Sequence, residues 1–150
     1  MAKQEILDKT YMRMAEQLSL LSYAERKKVG ALIVKRTQII SEGYNGTPSG
    51  FDNACERVDY CGELHTKEEV LHAESNAITK LASSTNSSNR STLYVTLAPC
   101  FECSKLIIQA GSSRVVYKDH YYKNGLSFLA QAGIEIVNIN DYEDEFKSSL

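Results

Sequence analysis

The sequence has no long hydrophobic run and little net charge, and each absence excludes a broad class of protein. Nowhere do about 18 apolar residues follow one another, which is the length that a membrane-spanning helix needs. The first residues, Met-Ala-Lys-Gln-Glu, do not start the apolar stretch of a secretory signal peptide. The formal net charge of -2 provides no general attraction for a nucleic-acid backbone. We therefore expect a cytoplasmic protein without a membrane or nucleic-acid partner.

The composition is that of an ordinary globular protein, with 43% hydrophobic and 24% charged residues. A chain of 150 residues can bury one sizeable core but rarely divides further, so we predict a single domain over residues 1–150. Thiols stay reduced in the cytoplasm, which favours metal binding or catalysis over disulfides for the four cysteines, Cys55, Cys61, Cys100 and Cys103.

Helical and extended patterns alternate along the chain. An amphipathic helix is predicted over residues 4–21 from the spacing of Ile6, Leu7, Met14, Leu18 and Leu21. Apolar, β-branched runs then predict a hairpin of residues 29–34 and 38–41. Further helices are predicted over 72–83, 100–110 and 126–132, and strands over 93–97, 114–117 and 134–137. This order indicates an α/β fold with about five strands in a mostly buried sheet.

A glycine-rich segment separates the hairpin from the next predicted helix. Three glycines and one proline fall within residues 43–50, a density that predicts turns with accessible backbone N–H groups. We predict that this loop continues irregularly to about Glu69. A connection of that length inside a compact domain is more often functional than idle, although a surface excursion is the alternative.

Two cysteines and one histidine form a candidate zinc site. Cys100 and Cys103 follow Pro99 at a predicted strand-to-helix junction, where a helix N-terminus favours thiolates. A Cys-x-x-Cys pair alone also occurs in redox sites and zinc ribbons. His72 supplies a third ligand and leaves the fourth tetrahedral position for water, the arrangement of a catalytic zinc site.

Glu74 is the candidate proton carrier. It lies two residues after His72, about 200° around a regular helix, so both can approach one point only near the helix end. We therefore place the zinc beside the N-terminus of this helix, with Glu74 next to the bound water. From there it can take a proton from the water and deliver it to a ring nitrogen and then to a departing amine. His-x-Glu followed by Pro-Cys-x-x-Cys is the signature of nucleobase zinc deaminases.

With this signature, the sequence resembles the cytidine deaminase superfamily, and within it the dCMP (deoxycytidylate) deaminases. The stretches that carry the resemblance are Gly-Tyr-Asn-Gly-Thr-Pro-Ser-Gly at 43–50, His-Ala-Glu-Ser-Asn-Ala-Ile at 72–78 and Tyr-Val-Thr-Leu-Ala-Pro-Cys at 94–100. The resemblance implies a three-layer α/β/α sandwich with a mixed five-stranded sheet. It also implies hydrolysis of dCMP to dUMP and ammonia, which supplies dUMP for thymidylate synthesis.

The same resemblance assigns residues to the substrate. It implies that Asn45 binds the sugar and base edge, that Arg26 reaches the phosphate, that Ala73 lines the ring pocket and that Tyr121 covers the nucleotide. On residue type alone, a turn-forming asparagine and a solvated arginine are about equally acceptable interpretations, and a tyrosine pair after a strand is more often simply packed.

Regulation and assembly are also implied by the resemblance. We expect activation by dCTP and inhibition by dTTP, with Mg²⁺ accompanying the nucleotide and the chain forming a homohexamer. The segment from Gly43 to Glu69 is the expected effector site, with Gly46 and His65 as candidate residues.

Several alternatives remain at this stage. Many relatives carry additional cysteine and histidine residues between the glycine loop and the zinc helix, and some bind a second, structural zinc there. Cys55, Cys61 and His65 are one ligand short of a closed set, and we favour free cysteines. A related deaminase could act on tRNA adenosine or free cytidine, although the charge of -2 disfavours a tRNA enzyme. A non-catalytic zinc domain is disfavoured because a structural site needs a fourth ligand and has no use for Glu74.

Overall fold

The computed structural model describes residues 2–142, and this part of the chain contains four α-helices and seven strands. Helices alternate with strands for most of its length. In chain order the elements are α1 (Lys3–Ser19), β1 (Gly30–Lys35), β2 (Gln38–Tyr44), β3 (Glu56–Val58), β4 (Leu64–Thr66), α2 (Ala73–Lys80), β5 (Thr92–Leu97), α3 (Phe101–Gln109), β6 (Arg114–Asp119), α4 (Leu126–Gln131) and β7 (Glu135–Asn138).

Five of the strands form one mixed sheet in the order β2-β1-β5-β6-β7. Strand β1 is antiparallel to both of its neighbours, β2 and β5, whereas β5, β6 and β7 run parallel to one another. Parallel strands need crossover connections, and α3 and α4 provide them. The predicted α/β fold with a mixed five-stranded sheet is confirmed.

The sheet is buried on both faces, which makes the fold three-layered. Alternate residues of β1 point to opposite sides: Ala31 and Ile33 enter one core cluster, and Leu32 and Val34 enter the other. Helix α1 covers the second cluster with Tyr11, Met12 and Ala15. Helices α2, α3 and α4 cover the first cluster, with buried residues Ala73, Ala77, Ile107 and Leu129.

A polar network joins α1 to the sheet inside the second layer. Asp8 is fully buried and accepts two hydrogen bonds from the Arg114 guanidinium, at 2.7 and 2.6 Å. Its carboxylate also accepts the hydroxyl hydrogens of Tyr94 at 2.6 Å and Tyr142 at 2.7 Å. Burial alone would raise the pKa of Asp8, but the hydrogen bonds from Arg114, Tyr94, Tyr142 and Gln4 outweigh it and lower the pKa.

A two-residue turn joins β1 and β2. Both central residues, Arg36 and Thr37, have positive φ values of 52° and 61°. This is the backbone of the primed turns whose twist matches that of the flanking strands. The turn lies at the opposite end of the hairpin from Val29 and Asn45.

The structure corrects two details of the predicted elements. The segment after β2 is not irregular as far as Glu69, because β3 and β4 pair within it as a small antiparallel hairpin. Helix α1 ends at Ser19 and not at Leu21, and its buried stripe is Asp8, Tyr11, Met12, Ala15 and Ser19. Ile6 and Met14, expected on the apolar face, are 50% and 43% exposed because that face is set by the contact with β1 and β5.

Within residues 2–142, no helix is long and apolar enough to cross a membrane. The acidic end of the chain after residue 142 lies outside the described residues.

Candidate functional site

Two helix N-termini meet at the same point beside the sheet. His72 is the N-cap residue of α2, and Cys100 is the N-cap residue of α3. Cys103 lies in the first turn of α3, and its N–H donates to Cys100 Sγ at 3.4 Å. Both helices therefore direct their positive ends at this point, which suits anionic groups.

The three side chains are arranged as ligands for one metal ion. His72 Nδ1 lies 3.3 Å from Cys103 Sγ and 3.5 Å from Cys100 Sγ, and the three ligand atoms all lie within 4.8 Å of one another. Zn–N and Zn–S bonds of about 2.0 and 2.3 Å in a tetrahedral site separate such ligand atoms by roughly 3.6 Å. The donor set and its spacing fit zinc.

The thiols and the imidazole influence one another's protonation. A hydrogen bond from the Cys103 thiol lowers the pKa of Cys100 despite the opposing effect of burial, and His72 adds to the lowering. The same hydrogen bond, together with burial, raises the pKa of Cys103. The hydrogen bond to Cys100 raises the pKa of His72. One thiolate thus forms readily here, as a metal ligand must.

Glu74 is buried in the first turn of α2 beside this cluster. The residue is 4% exposed, and burial raises the pKa of its carboxyl group to about 7. A carboxyl group with such a pKa can both accept and release a proton near neutrality. Its neighbours are His72 and Cys103.

Close contact with β2 fixes the position of α2. A Cβ atom on Gly43 would lie 2.6 Å from the amide nitrogen of Ala77 and still closer to the carbonyl oxygen of Ala73, so only glycine allows this approach. Asn76 donates from Nδ2 to the Tyr44 carbonyl at 2.8 Å, and Ser41 donates from Oγ to the Ala77 carbonyl at 2.6 Å.

The segment before α4 fixes the start of α3. The Gly125 N–H donates to the Pro99 carbonyl at 2.8 Å, and Asn124 forms a β-bridge with Cys100. Asn124 also donates from Nδ2 to the Tyr121 carbonyl at 2.7 Å. Tyr121 is thereby tied to the turn that pairs with Cys100.

A cavity of about 260 Å³ opens above the cluster. His72, Glu74 and Cys100 contribute to its lining, and so do all four residues predicted to bind substrate, Arg26, Asn45, Ala73 and Tyr121. The structure therefore brings the predicted catalytic, metal and substrate residues to one place, with Cys103 directly behind the lining.

Asn45 already uses both polar atoms of its side chain. Its Oδ1 accepts the Val29 N–H at 2.9 Å, and its Nδ2 donates to the Lys27 carbonyl at 2.8 Å. One N–H and one lone pair remain for a ligand. Asn45 thus also anchors the segment between Arg26 and the start of β1.

The residues predicted for an effector, Gly46 and His65, belong neither to the metal cluster nor to the residues that line the cavity. Gly46 pairs with Leu71 through both of its backbone groups, at 3.0 and 2.8 Å, so its N–H is not free, although the space where a Cβ would lie is open. His65 Nε2 lies 2.7 Å from Asp59 Oδ2. Cys55 is buried and Cys61 exposed, and both thiols are free. His65 is grouped in space with Asp59 and Glu63 and not with the two cysteines.

Sequence reasoning missed three polar residues of the cavity wall, Lys27, Glu56 and Thr66. Lys27 follows Arg26 in a charged run and could have been named with it. Glu56 and Thr66 had no sequence signal, because their place depends on a hairpin that was not predicted.

Known proteins share this fold and these motifs. Residues 5–119 match the family model described as the cytidine and deoxycytidylate deaminase zinc-binding region. The deoxycytidylate deaminase of Enterobacteria phage T4 is 32% identical over 87% of this chain and 88% of its own length. The deoxycytidylate deaminase of Mycobacterium phage D29 is 36% identical over 73% of this chain and 92% of its own length.

A solved structure extends the likeness to three dimensions. It is the crystal structure of dCMP deaminase from the cyanophage S-TIM5 in complex with dCMP and dUMP. It matches with a TM-score of 0.83 and 42% identity, covering 92% of this chain and 98% of that one.

Proposed function

Because the chain belongs to the family of the cytidine and deoxycytidylate deaminase zinc-binding region, we propose that it hydrolyses dCMP to dUMP and ammonia. The reaction replaces the amino group of the cytosine ring with an oxygen atom from water. The observation that carries the proposal is the His72–Cys100–Cys103 cluster beside buried Glu74, on a cavity whose wall also carries Arg26. The dUMP would supply thymidylate synthesis.

His72, Cys100 and Cys103 would hold one zinc ion through Nδ1 and the two Sγ atoms. Zinc, when bound, acts as a Lewis acid that lowers the pKa of a coordinated water to about 7. Two thiolates balance its charge, so that the site can accept a neutral base ring.

Glu74 moves the protons. Its carboxylate accepts a proton from the attacking water and delivers it to N3 of the cytosine ring. It then takes the second proton from the oxygen atom that has added to the ring carbon and transfers it to the amino nitrogen, which leaves as ammonia while the ring carbonyl forms. Burial excludes bulk water from this carboxyl group, so the protons pass between Glu74 and the substrate.

The cavity wall selects the nucleotide. Arg26 donates to the phosphate, Asn45 contacts the sugar and base edge with its remaining donor and acceptor, and Ala73 leaves room for the ring. The Tyr121 ring covers the bound nucleotide. The anchoring of Asn45 to Lys27 and Val29, and of Tyr121 to Asn124, supports these roles, because each side chain starts from a fixed backbone.

The activity is tested by offering the zinc-loaded protein dCMP, deoxycytidine, cytidine and a tRNA stem-loop separately. Ammonia release and the absorbance change of the cytosine ring report turnover. We expect dCMP to be the preferred substrate. Preference for cytidine or for tRNA would favour the related deaminases, and no turnover with any of them would favour a non-catalytic zinc domain.

Arg26→Ala tests the phosphate contact. The variant should lose far more activity with dCMP than with deoxycytidine, since the charge-assisted hydrogen bond exists only for the nucleotide. Lys28→Ala is the matched control, because Lys28 is an exposed cation of the same run that does not line the cavity. Equal losses for both substrates would remove Arg26 from the phosphate site.

Regulation belongs to the same proposal. dCTP, accompanied by Mg²⁺, would activate a homohexamer and dTTP would inhibit it, each nucleotide binding two conformations unequally near Gly46 and His65. Support comes from the resemblance and from the open space above Gly46. The rate should rise sigmoidally with dCMP, become hyperbolic with dCTP and fall with dTTP. Hyperbolic kinetics insensitive to both nucleotides, or a monomer by light scattering, would contradict this part.

A further inference from the structure

One cross-strand pair of the β3–β4 hairpin faces the cavity. Glu56 of β3 lies directly opposite Thr66 of β4, and directly opposed residues point to the same face of a two-stranded ribbon. Both residues line the cavity, as does Arg26, which comes from the loop before β1. The hairpin and the loop therefore meet at the cavity wall.

Glu56 holds the backbone around Arg26. Its carboxylate accepts the N–H of Glu25 through both oxygens, at 2.9 and 3.1 Å, and the N–H of Arg26 through Oε2 at 3.1 Å. Hydrogen bonds to a carboxylate are stronger than those between neutral groups. These two successive amides are separated from Glu56 by about thirty residues of chain, so the contact fixes a tertiary arrangement.

Thr66 holds the side chain of the same arginine. Arg26 Nη1 donates to Thr66 Oγ1 at 3.2 Å. A guanidinium has five N–H donors, so four remain for a ligand. The ion pairs found among residues 2–142 do not include Arg26, so its guanidinium makes no direct ion pair with a carboxylate of this part of the chain.

We propose that Glu56 and Thr66 are positioning residues that hold Arg26 ready for the substrate phosphate and so set the preference for nucleotide over nucleoside. The inference rests on the proposed function, because it needs Arg26 at the phosphate. Arginine is a long side chain with many rotamers, and a guanidinium fixed before binding loses less conformational entropy when the phosphate arrives. The hairpin is thus part of the substrate site.

The test compares kcat and KM for dCMP and deoxycytidine in the zinc-loaded, full-length protein. Glu56→Gln keeps the size of the side chain but loses the charge and one acceptor oxygen. We expect kcat/KM for dCMP to fall roughly fivefold to tenfold, mostly through KM, with deoxycytidine nearly unchanged. Thr66→Val should give a smaller loss of the same kind, and Thr66→Ser should restore the wild-type values.

Two further arms separate positioning from other effects. Glu25→Gln removes the same charge from an exposed side chain of the same loop and should leave the ratio of the two substrates unchanged. In an Arg26→Ala background, Glu56→Gln should have no additional effect, because the residue through which it acts is gone. Zinc content and thermal unfolding establish that each variant is folded, and Thr66→Val provides the test if Glu56→Gln does not fold.

Five results would overturn the inference. Equal losses with both substrates would make Glu56 a structural residue only, and a gain with dCMP would mean that its carboxylate repels the phosphate. An undiminished effect in the Arg26→Ala background would show that it does not act through Arg26. If Arg26→Ala itself fails to distinguish dCMP from deoxycytidine, the proposed phosphate contact falls as well. If Arg26→Ala does discriminate but neither Glu56→Gln nor Thr66→Val does, only this inference is lost.

Discussion

Glu74 shows how burial and neighbours give one carboxyl group a chemical role. It is 4% exposed, two residues after His72 in sequence and near Cys103 in space, yet it is not one of the three clustered ligand residues. A glutamine in place of Glu74 would have the same shape and could pack in the same way, but its amide group could not transfer a proton.

Glu74→Gln should therefore keep zinc and fold while losing most turnover. A positioned general acid–base group contributes on the order of 10²–10⁴-fold, and a loss of that size in kcat is expected. Elemental analysis and steady-state rates on one preparation decide the matter. A variant without zinc, or one with full rate, would contradict the assignment.

Zinc content separates the four cysteines into two classes. One complete His72–Cys100–Cys103 set predicts close to one zinc per chain, and Cys100→Ala should lose both metal and activity. Cys61→Ala is the matched control, because this free thiol is exposed and outside the cluster. Metal and activity that survive Cys100→Ala would show that the cluster is wrongly assigned.

At the scale of residues, chemistry with a fixed local spacing could be predicted from the sequence. The zinc motif has a fixed spacing because each half of it occupies the first turn of a helix, where the backbone geometry is regular. One half is His72 and Glu74, and the other is Cys100 and Cys103. Glu56 and Thr66 could not be found, since their place depends on contacts between segments about thirty and forty residues apart. The anchoring role of Asn45 was missed for the same reason.

Among the elements, the contact between β2 and α2 is sensitive to substitution because it depends on a glycine. Gly43→Ala would place a methyl group against the backbone of Ala73 and Ala77, where nothing can move without shifting α2. Overpacking of this kind costs about 1–3 kcal/mol, and the shift would carry His72 and Glu74 with it.

We expect Gly43→Ala to lower the thermal midpoint and to weaken zinc retention against a chelator. Gly46→Ala serves as the control for stability, because the space around Gly46 is open and its φ is not positive. Melting curves and chelator titrations of both variants provide the measurement. Equal midpoints would mean that α2 can move away from β2 without cost.

Long periodic elements were predicted well and short ones were not. The helices and the parallel strands lie within a few residues of their predicted positions because burial on a regular face leaves a periodic pattern. Strands β3 and β4 have three residues each and partly exposed side chains, so no alternation marks them. The hairpin instead makes tertiary hydrogen bonds to Glu25 and Arg26, which leave no periodic pattern in the sequence.

The stability of the whole molecule depends in part on the buried carboxylate of Asp8, which lies between α1 and the sheet. The folded-state pKa of Asp8 lies below its ordinary value of 3.8, so ionisation of Asp8 favours the folded protein. This contribution is complete above the ordinary value and is lost as the pH falls through the lowered one. Acid should therefore loosen α1 from the sheet.

Asp8→Asn should destabilise the protein by roughly 3–5 kcal/mol at neutral pH, because it leaves the mostly buried Arg114 without its main partner. The variant should also lose less stability than the wild type as the pH falls below the ordinary Asp pKa of 3.8, because the wild type loses the contribution of Asp8 between that value and the lowered pKa of the folded state. Denaturant unfolding at several pH values measures both effects.

Glu16→Gln in the same helix, which breaks an exposed ion pair with Lys118, is the control and should cost about 1 kcal/mol or less. Parallel pH profiles for Asp8→Asn and wild type would contradict the role of Asp8.

Sheet order was the part of the whole fold that local patterns could not predict. Alternating helices and strands indicated an α/β architecture, but nothing local indicates that β1 is antiparallel to both neighbours and pairs with β5 across some sixty residues. The resemblance to a known superfamily supplied the mixed character of the five-stranded sheet but not the order of its strands. The single domain over residues 1–150 stays a prediction.

The left-handed turn between β1 and β2 leaves room for protein engineering. A β-branched residue such as Thr37 is unfavourable at positive φ, whereas Asn-Gly is the preferred pair for a turn of this kind. The Tyr11 hydroxyl donates to the carbonyl of Thr37 and not to its side chain, so replacing the side chain keeps that bond. Arg36→Asn combined with Thr37→Gly should gain about 1 kcal/mol, or about 2–4 °C in melting temperature. The substitution lies at the far end of strands about 20 Å long, so a more heat-tolerant catalyst would keep its rate and its substrate preference.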